Sequence, residues 1–216
     1  MTALTITRIS IFPLPGAILF PGLQLPLHMF EPRYRAMVSD AMARDRQIGM
    51  LQPNDQKFDG MGGGEDAPDL FRVGCLGRIA DVEAMDDGRY NVILEGIARF
   101  RLIRELDVTT PFRQIEAELI EELSDSDILA GIERASLERE ARKFADAQGY
   151  AVDWDQVSRL DDVSLVNGVS QIAPFDSAAK QALLEADSIS ERAELMVQLM
   201  QFFSRRDDDD PRVTLQ

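Results

Sequence analysis

A chain of 216 residues is long enough for one large or two small domains, and 45% hydrophobic side chains give it a core to bury, which excludes wholesale disorder. Its formal charge of −15 is uneven: residues 1–119 hold 17 acidic and 13 basic side chains, whereas residues 120–216 hold 21 and 10. Lysine occurs only as Lys57, Lys143 and Lys180, so the dense cationic field that displaces counterions from phosphates is missing, and nucleic acid and anionic membrane are poor partners.

Residues Ile9 to Phe30 carry no formal charge yet include Pro13, Pro15, Pro21 and Pro26. A membrane-spanning helix needs roughly 20 apolar residues with internally closed backbone bonds, and four prolines remove donors and clash with preceding carbonyls. With no basic region or small-residue cleavage site around it, the stretch is read as neither anchor nor signal peptide. It predicts strands at 4–12 and 17–28 broken by Pro-Gly turns. A helix is expected from Glu31 to about Arg44, with Pro32 in its first turn and Tyr34, Met37, Val38, Ala41 and Met42 at helical spacing. Ile48 to Leu51 predicts another strand.

Residues 53–69 hold four glycines and two prolines without periodicity and predict a mobile surface loop. Gly62, Gly63 and Gly64 form no phosphate-binding motif. A strand is expected over 71–85, then a hairpin turn at Asp87-Gly88, with Tyr90, Val92 and Leu94 alternating against Arg89, Asn91 and Ile93. A separate strand follows at 98–106, where period two places Arg99 and Arg101 on a solvent face and Phe100 and Leu102 opposite. A last strand near 112–119 completes a β-rich region.

From Ser124 the pattern is helical. A long helix is expected over 125–148, with Glu138 four residues before Arg142 and Gly149 as its stop. Shorter helices follow at 161–172, 176–186 and 189–204, with Pro174 between the first two and Ser188 and Glu191 forming a capping box for the last. That last helix carries Leu195, Met196, Val197, Leu199, Met200, Phe202 and Phe203 and is apolar nearly all round. It requires enclosure by other helices, an oligomer interface or a groove for a client, and methionine adapts to varied apolar shapes. The closing RRDDDDPRVTLQ reads as a frayed acidic tail, on which Asp207 to Asp210 preorganise no metal sphere.

Chemistry is sparse. His28 is the only histidine, which removes any His-rich metal site, and in its strand-like setting it reads as a hydrogen-bonded structural residue. Cys75, the only cysteine, sits among Val73, Leu76 and Ile79 and reads as buried rather than nucleophilic. One Cys and one His build no structural zinc site. None of the three lysines lies in GxxxxGK[ST]. The pairs Glu121-Glu122 and Asp161-Asp162 read as helix-start charges, since adjacency alone does not make a catalytic dyad. No catalytic, cofactor or metal residue is predicted.

The blocks FPLPG at 12–16, LFPG at 19–22, LPLHMFEPRYRAMV at 25–38, VGCLGRI at 73–79 and DGRYNVILEGIARFRL at 87–102 resemble, in order and spacing, the N-terminal substrate-binding domain of the Lon family of ATP-dependent proteases. The resemblance runs over roughly residues 7 to 204. It implies an α+β fold: a β-rich, PUA-like pseudo-barrel lobe with a short helix over 1–122, a helical bundle over 123–204, and a disordered acidic tail over 205–216. The complete protease adds an ATPase and a serine-lysine peptidase. The missing P-loop lysine, and a chain that stops about where the motor would begin, lead us to expect neither. The expectation is a stand-alone, cytoplasmic, non-catalytic module without cofactor or metal that binds unfolded or exposed polypeptide segments, or a dedicated protein partner. Candidate binding residues are Glu31, Arg33 and Tyr34 of the FEPRYR block, which either presents a recognition surface or ties strand to helix, together with Arg99, Arg101, Met196, Met200 and Phe203. The alternative is a small-molecule-responsive regulator using a pocket between the lobes.

Overall fold

A computed structural model of the chain describes residues 5–54, 69–120 and 128–209, with side chains to residue 204. Most of the expected loop at 53–69, the pair Glu121-Glu122 and the carboxylates of Asp207 to Asp210 lie outside the described residues. Contacts divide the chain into two compact units, Met1–Glu122 and Leu123–Gln216.

Among its described residues the first unit has six strands, β1 (Ile6–Pro13), β2 (Gln24–Met29), β3 (Gln47–Leu51), β4 (Val73–Ala84), β5 (Tyr90–Glu105) and β6 (Gln114–Leu119), with helix α1 (Pro32–Met42) between β2 and β3. The sheet order is β2-β5-β4-β3-β1-β6, and β6 pairs back onto β5, so five strands close into a ring with β2 on its outside edge. Only β1 and β3 run parallel; the other pairs are antiparallel. Closure abolishes most free edges, and Pro26 suits the one strand left at an edge.

Alternation along each strand feeds two cores. Ile9, Ile11, Leu51, Leu76, Phe100, Ile115 and Ala117, drawn from all five ring strands, form one. Phe12, Ile48, Met50, Cys75, Ile79, Val92 and Leu94 point the other way and pack with Tyr34, Met37, Val38 and Ala41 of α1. The helix starts at Pro32, whose missing N–H costs nothing in the first turn.

Three expectations change here. Of the predicted strand 17–28 only 24–28 is extended, within β2; Ile18, Leu19 and Phe20 are buried without being a strand. The reason is Gly22, which turns the chain at a φ of 80° and exchanges backbone bonds through Gly96, Gly22 N–H to Gly96 O at 2.9 Å and Gly96 N–H to Leu23 O at 2.8 Å. The two strands expected on either side of Gly96 are one 16-residue strand, because β5 serves β2 with its first half and β6 with its second. Register shifts against β4 and β6 leave Ile97 and Ile103 without a direct opposite, and both are 41% exposed. Arg99, expected on a solvent face with Arg101, is 2% exposed, whereas Arg101 is exposed. Arg99 stands opposite Cys75, itself fully buried. Where both faces of a sheet are covered, period two separates core from core rather than core from water.

The second unit is helical: α2 (Gly131–Gln148), α3 (Trp154–Val157), α4 (Asp162–Ile172), α5 (Ser177–Glu185) and α6 (Ile189–Asp209). Asp161 and Asp176 cap α4 and α5 by accepting the N–H groups of Ser164 and Ala179. Helix α2 starts six residues later than expected, since Leu129 N–H is held by Asp162 Oδ2 at 2.9 Å and Ala130 N–H by Glu133 Oε2 at 2.7 Å. Its C-terminus follows expectation, with Gly149 left-handed at φ 72°. Glu138 pairs with Arg134 at 2.9 Å instead of Arg142, whose guanidinium lies 4.4 Å from the Trp154 ring centre. Helix α6 packs on α2, α4 and α5 and continues to Asp209, five residues into the expected tail.

Candidate binding surface

The FEPRYR block is built from the start of α1 outward. Arg33 donates to Glu31 Oε2 through Nε at 2.9 Å and Nη2 at 2.8 Å, and its guanidinium covers the Tyr34 ring at 4.5 Å. Tyr34 meets Phe12 edge-on with centroids 4.3 Å apart, and burial raises its hydroxyl above the ordinary tyrosine value. Phe30, Pro32 and the Glu31-Arg33 pair are offered to solvent; Tyr34, 7% exposed, is part of the core. Arg35 lies over the β4–β5 turn, so close to Gly88 that a β-carbon there would meet its guanidinium. The block thus fastens α1 to the barrel wall.

Beside it, β2 ends in a ladder the sequence only hinted at. His28 Nδ1 is 2.8 Å from Asn91 Oδ1, Asn91 Nδ2 donates to Glu83 Oε2 at 2.8 Å, and Arg89 Nη1 lies 3.2 Å from His28 Nε2. Arginine only donates, so Nε2 accepts and the imidazole proton sits on Nδ1, facing Asn91. Asp87, bonded first by the Arg89 backbone N–H and also by its side chain, is held below the usual carboxylate range. His28 stacks on Phe30 with centroids 6.1 Å apart, and Phe30 is 60% exposed. Phe30 escaped the sequence reading although the signal was present: Leu27 and Met29 are buried, so period two puts His28 and Phe30 on the outward face.

In the second unit Met196 and Met200 are buried, on the α6 face that also carries Ile189, Arg192 and Ala193. One face of the helix is covered by its neighbours, so neither methionine offers a surface, while Phe202 near its end stays exposed. Phe203 is half-buried within an aromatic row, Phe144, Phe175, Phe203 and Phe202, with successive centroids 5.7, 5.5 and 5.5 Å apart. The row runs from the core to Phe202, 55% exposed. Ile128, Ile132 and Ile172 are each more than 70% exposed.

Asp161 and Asp162 are occupied in structure, the first as a helix cap, the second on Arg134 and the Leu129 N–H. Cys75 is buried. Among the described residues no group of His, Cys, Asp or Glu is placed to hold a metal ion, and no helix is long and apolar enough to cross a membrane. A polar cavity of about 120 Å³ lies in the first unit, between the end of α1 (Asp40, Arg44) and Arg8 and Gln114. That is below the roughly 300 Å³ at which small-molecule pockets begin.

The chain matches the ATP-dependent protease La (LON) substrate-binding domain family over residues 8–201. It is 26% identical to Lon protease 2 of Myxococcus xanthus over 196 residues, covering 89% of this chain and 23% of that protein. It is 25% identical to Lon protease of Heliobacterium modesticaldum over 199 residues, 91% of this chain and 24% of that one. The chain therefore spans about a quarter of the length of these relatives. Its fold is shared with a Lon N-terminal domain protein from Xanthomonas campestris, TM-score 0.65 at 22% identity over 91% of this chain and 98% of the other. The N-terminal domain of Mycobacterium avium complex Lon protease superposes with TM-score 0.67 at 17% identity, over 90% and 98%.

Proposed function

This chain belongs to the LON substrate-binding domain family, and from that premise we propose that it is a non-catalytic cytoplasmic module that holds unfolded or exposed polypeptide segments. The family match, running over residues 8–201, carries the reading. Support comes from apolar side chains left on the surface of each unit, Phe30 and Ile103 in the first, Ile132, Ile172 and Phe202 in the second. Apolar contact tolerates many sequences, as selection of exposed segments requires. The comparisons give the small-molecule regulator no support.

The test is binding of a permanently unfolded chain. Ribonuclease A, reduced and carbamidomethylated, is titrated against the labelled protein, with native ribonuclease as a control of the same composition. Binding of the unfolded form at least tenfold tighter than the native form is expected. Equal binding would mean that charge alone brings the two together, and the reading would fall.

A further inference from the structure

On the outer face of β1, β6 and β5 the cross-strand register brings cations together. Glu116 stands opposite Arg8 on β1 and Arg104 on β5, and Glu118 stands opposite Ile6 and Arg101. Directly opposed residues share a face, so these side chains form one surface. Arg72, just ahead of β4, brings its guanidinium to the edge of this surface, with Nη1 3.5 Å from the Ile103 carbonyl.

Three arginines therefore face two glutamates, with Arg72 at the edge, on a protein whose formal charge is −15. Arg104 is committed to Glu116 at 2.7 Å and Arg8 to Gln114. Arg101 is exposed and forms no ion pair among the described residues, although Glu118 is its neighbour. Between these cations stand two isoleucines, Ile6 at 58% and Ile103 at 41% exposure. Ile103 is outward because the register shift between Leu102 and Arg104 leaves it unopposed. A bulge that re-aims an apolar side chain into a cationic field marks a recognition feature more than a stabilising one.

We propose that this face docks an extended acidic polypeptide segment carrying aliphatic side chains, the carboxylates meeting Arg101 and Arg72 and the aliphatic groups Ile6 and Ile103. The inference rests on the polypeptide-binding reading and names the chemistry of one class of bound segment. Charge complementarity selects the occupant: opposite charge on a partner speeds encounter and fixes register, while a basic segment meets a local like-charge penalty here. Over the rest of the chain the net acidity favours basic or neutral segments, so this face widens what the module accepts.

The experiment is fluorescence anisotropy with three labelled dodecapeptides, alternating Glu-Leu, Glu-Ser and Lys-Leu, and a dodecathymidylate as a non-peptide polyanion. Glu-Leu is expected to bind at least tenfold tighter than Glu-Ser. Arg101→Gln and Ile103→Ser are each expected to weaken it at least fivefold, with melting unchanged, while Arg139→Gln in the second unit leaves it as it was. Rising salt should weaken the complex. Binding that survives the Arg101→Gln, Ile103→Ser double variant overturns the proposal, as does Lys-Leu binding of equal strength. Equal binding of the oligonucleotide replaces it with plain polyanion attraction. Unfolded ribonuclease, run on the same samples, separates the two levels: if it binds and Glu-Leu does not, this proposal alone fails.

Discussion

The carbonyl oxygen of Phe20 lies 2.2 Å from where a β-carbon on Gly96 would stand. The buried segment Ile18 to Phe20 is thereby laid directly on the backbone of β5, with Gly22 and Leu23 bonded to Gly96 on either side. The obstacle is backbone, so it does not swing away as a side-chain end would. Gly96→Ala is expected to cost about 1–3 kcal/mol, the usual range for forcing volume into a packed interior. Urea unfolding checks it, and a midpoint within error of wild type would show that the 14–23 segment yields easily.

Gln52 holds the other end of that segment. Its Nε2 donates to the carbonyls of Leu14 at 2.8 Å and Ala17 at 2.6 Å, and its Oε1 accepts the Gly16 N–H at 3.0 Å. The side chain is 4% exposed, so three backbone groups depend on one amide away from water. Gln52→Leu keeps the size and removes all three partners, and about 2–3 kcal/mol of stability should go with them. Glu at this position restores only the acceptor and should recover little. Full stability in the Leu variant would mean that water replaces the amide.

Much of this architecture was legible in the chain. The α1 stripe of Tyr34, Met37, Val38 and Ala41, the Asp87-Gly88 turn and the Gly149 stop each rest on a local rule, and local rules survive folding. What failed was set by distant partners. Gly96 reads as a strand break, yet pairing with β2, β4 and β6 along its length keeps β5 whole. Arg99 and Arg101 look equivalent at period two, yet tertiary packing buries one and leaves the other exposed. The candidate residues divide the same way: Met196 and Met200 were chosen for apolarity, which a single sequence cannot sort into core and surface, and Tyr34 for its place in the FEPRYR block, whereas Ile103 becomes visible only with a register.

Acid should loosen the second unit through the cap of α4. The Ser164 hydroxyl donates to Asp161 Oδ2 at 2.6 Å and the Ser164 N–H to Oδ1 at 2.8 Å, and these bonds hold the carboxyl below its ordinary value of 3.8. The folded state thus binds this proton less readily than the unfolded chain. The stabilisation is complete above the ordinary carboxylate value and fades as pH falls through the lower folded one. Glu140, held low first by Lys143 and also by Arg139, acts in the same direction. Asp161→Ala should cost about 1 kcal/mol at neutral pH, and the gap to wild type should narrow as the pH falls below the ordinary carboxylate value. Stability curves that stay parallel throughout that fall would remove Asp161 from the acid response.

Phe30 and Met196 separate surface from core within the proposed activity. Phe30 is 60% exposed and stacks on His28, so Phe30→Ser should leave stability nearly unchanged, within about 0.5 kcal/mol. Its loss should still weaken capture of unfolded ribonuclease at least threefold, because a large apolar side chain held in water is where a client segment gains most by contact. Met196, fully buried in the face of α6, should do the reverse. Met196→Ala is expected to cost about 2–5 kcal/mol, with binding per folded molecule unchanged. Titrations at a temperature where both variants remain folded distinguish the two effects. Undiminished capture by Phe30→Ser would move the client-holding surface of the first unit away from the end of β2.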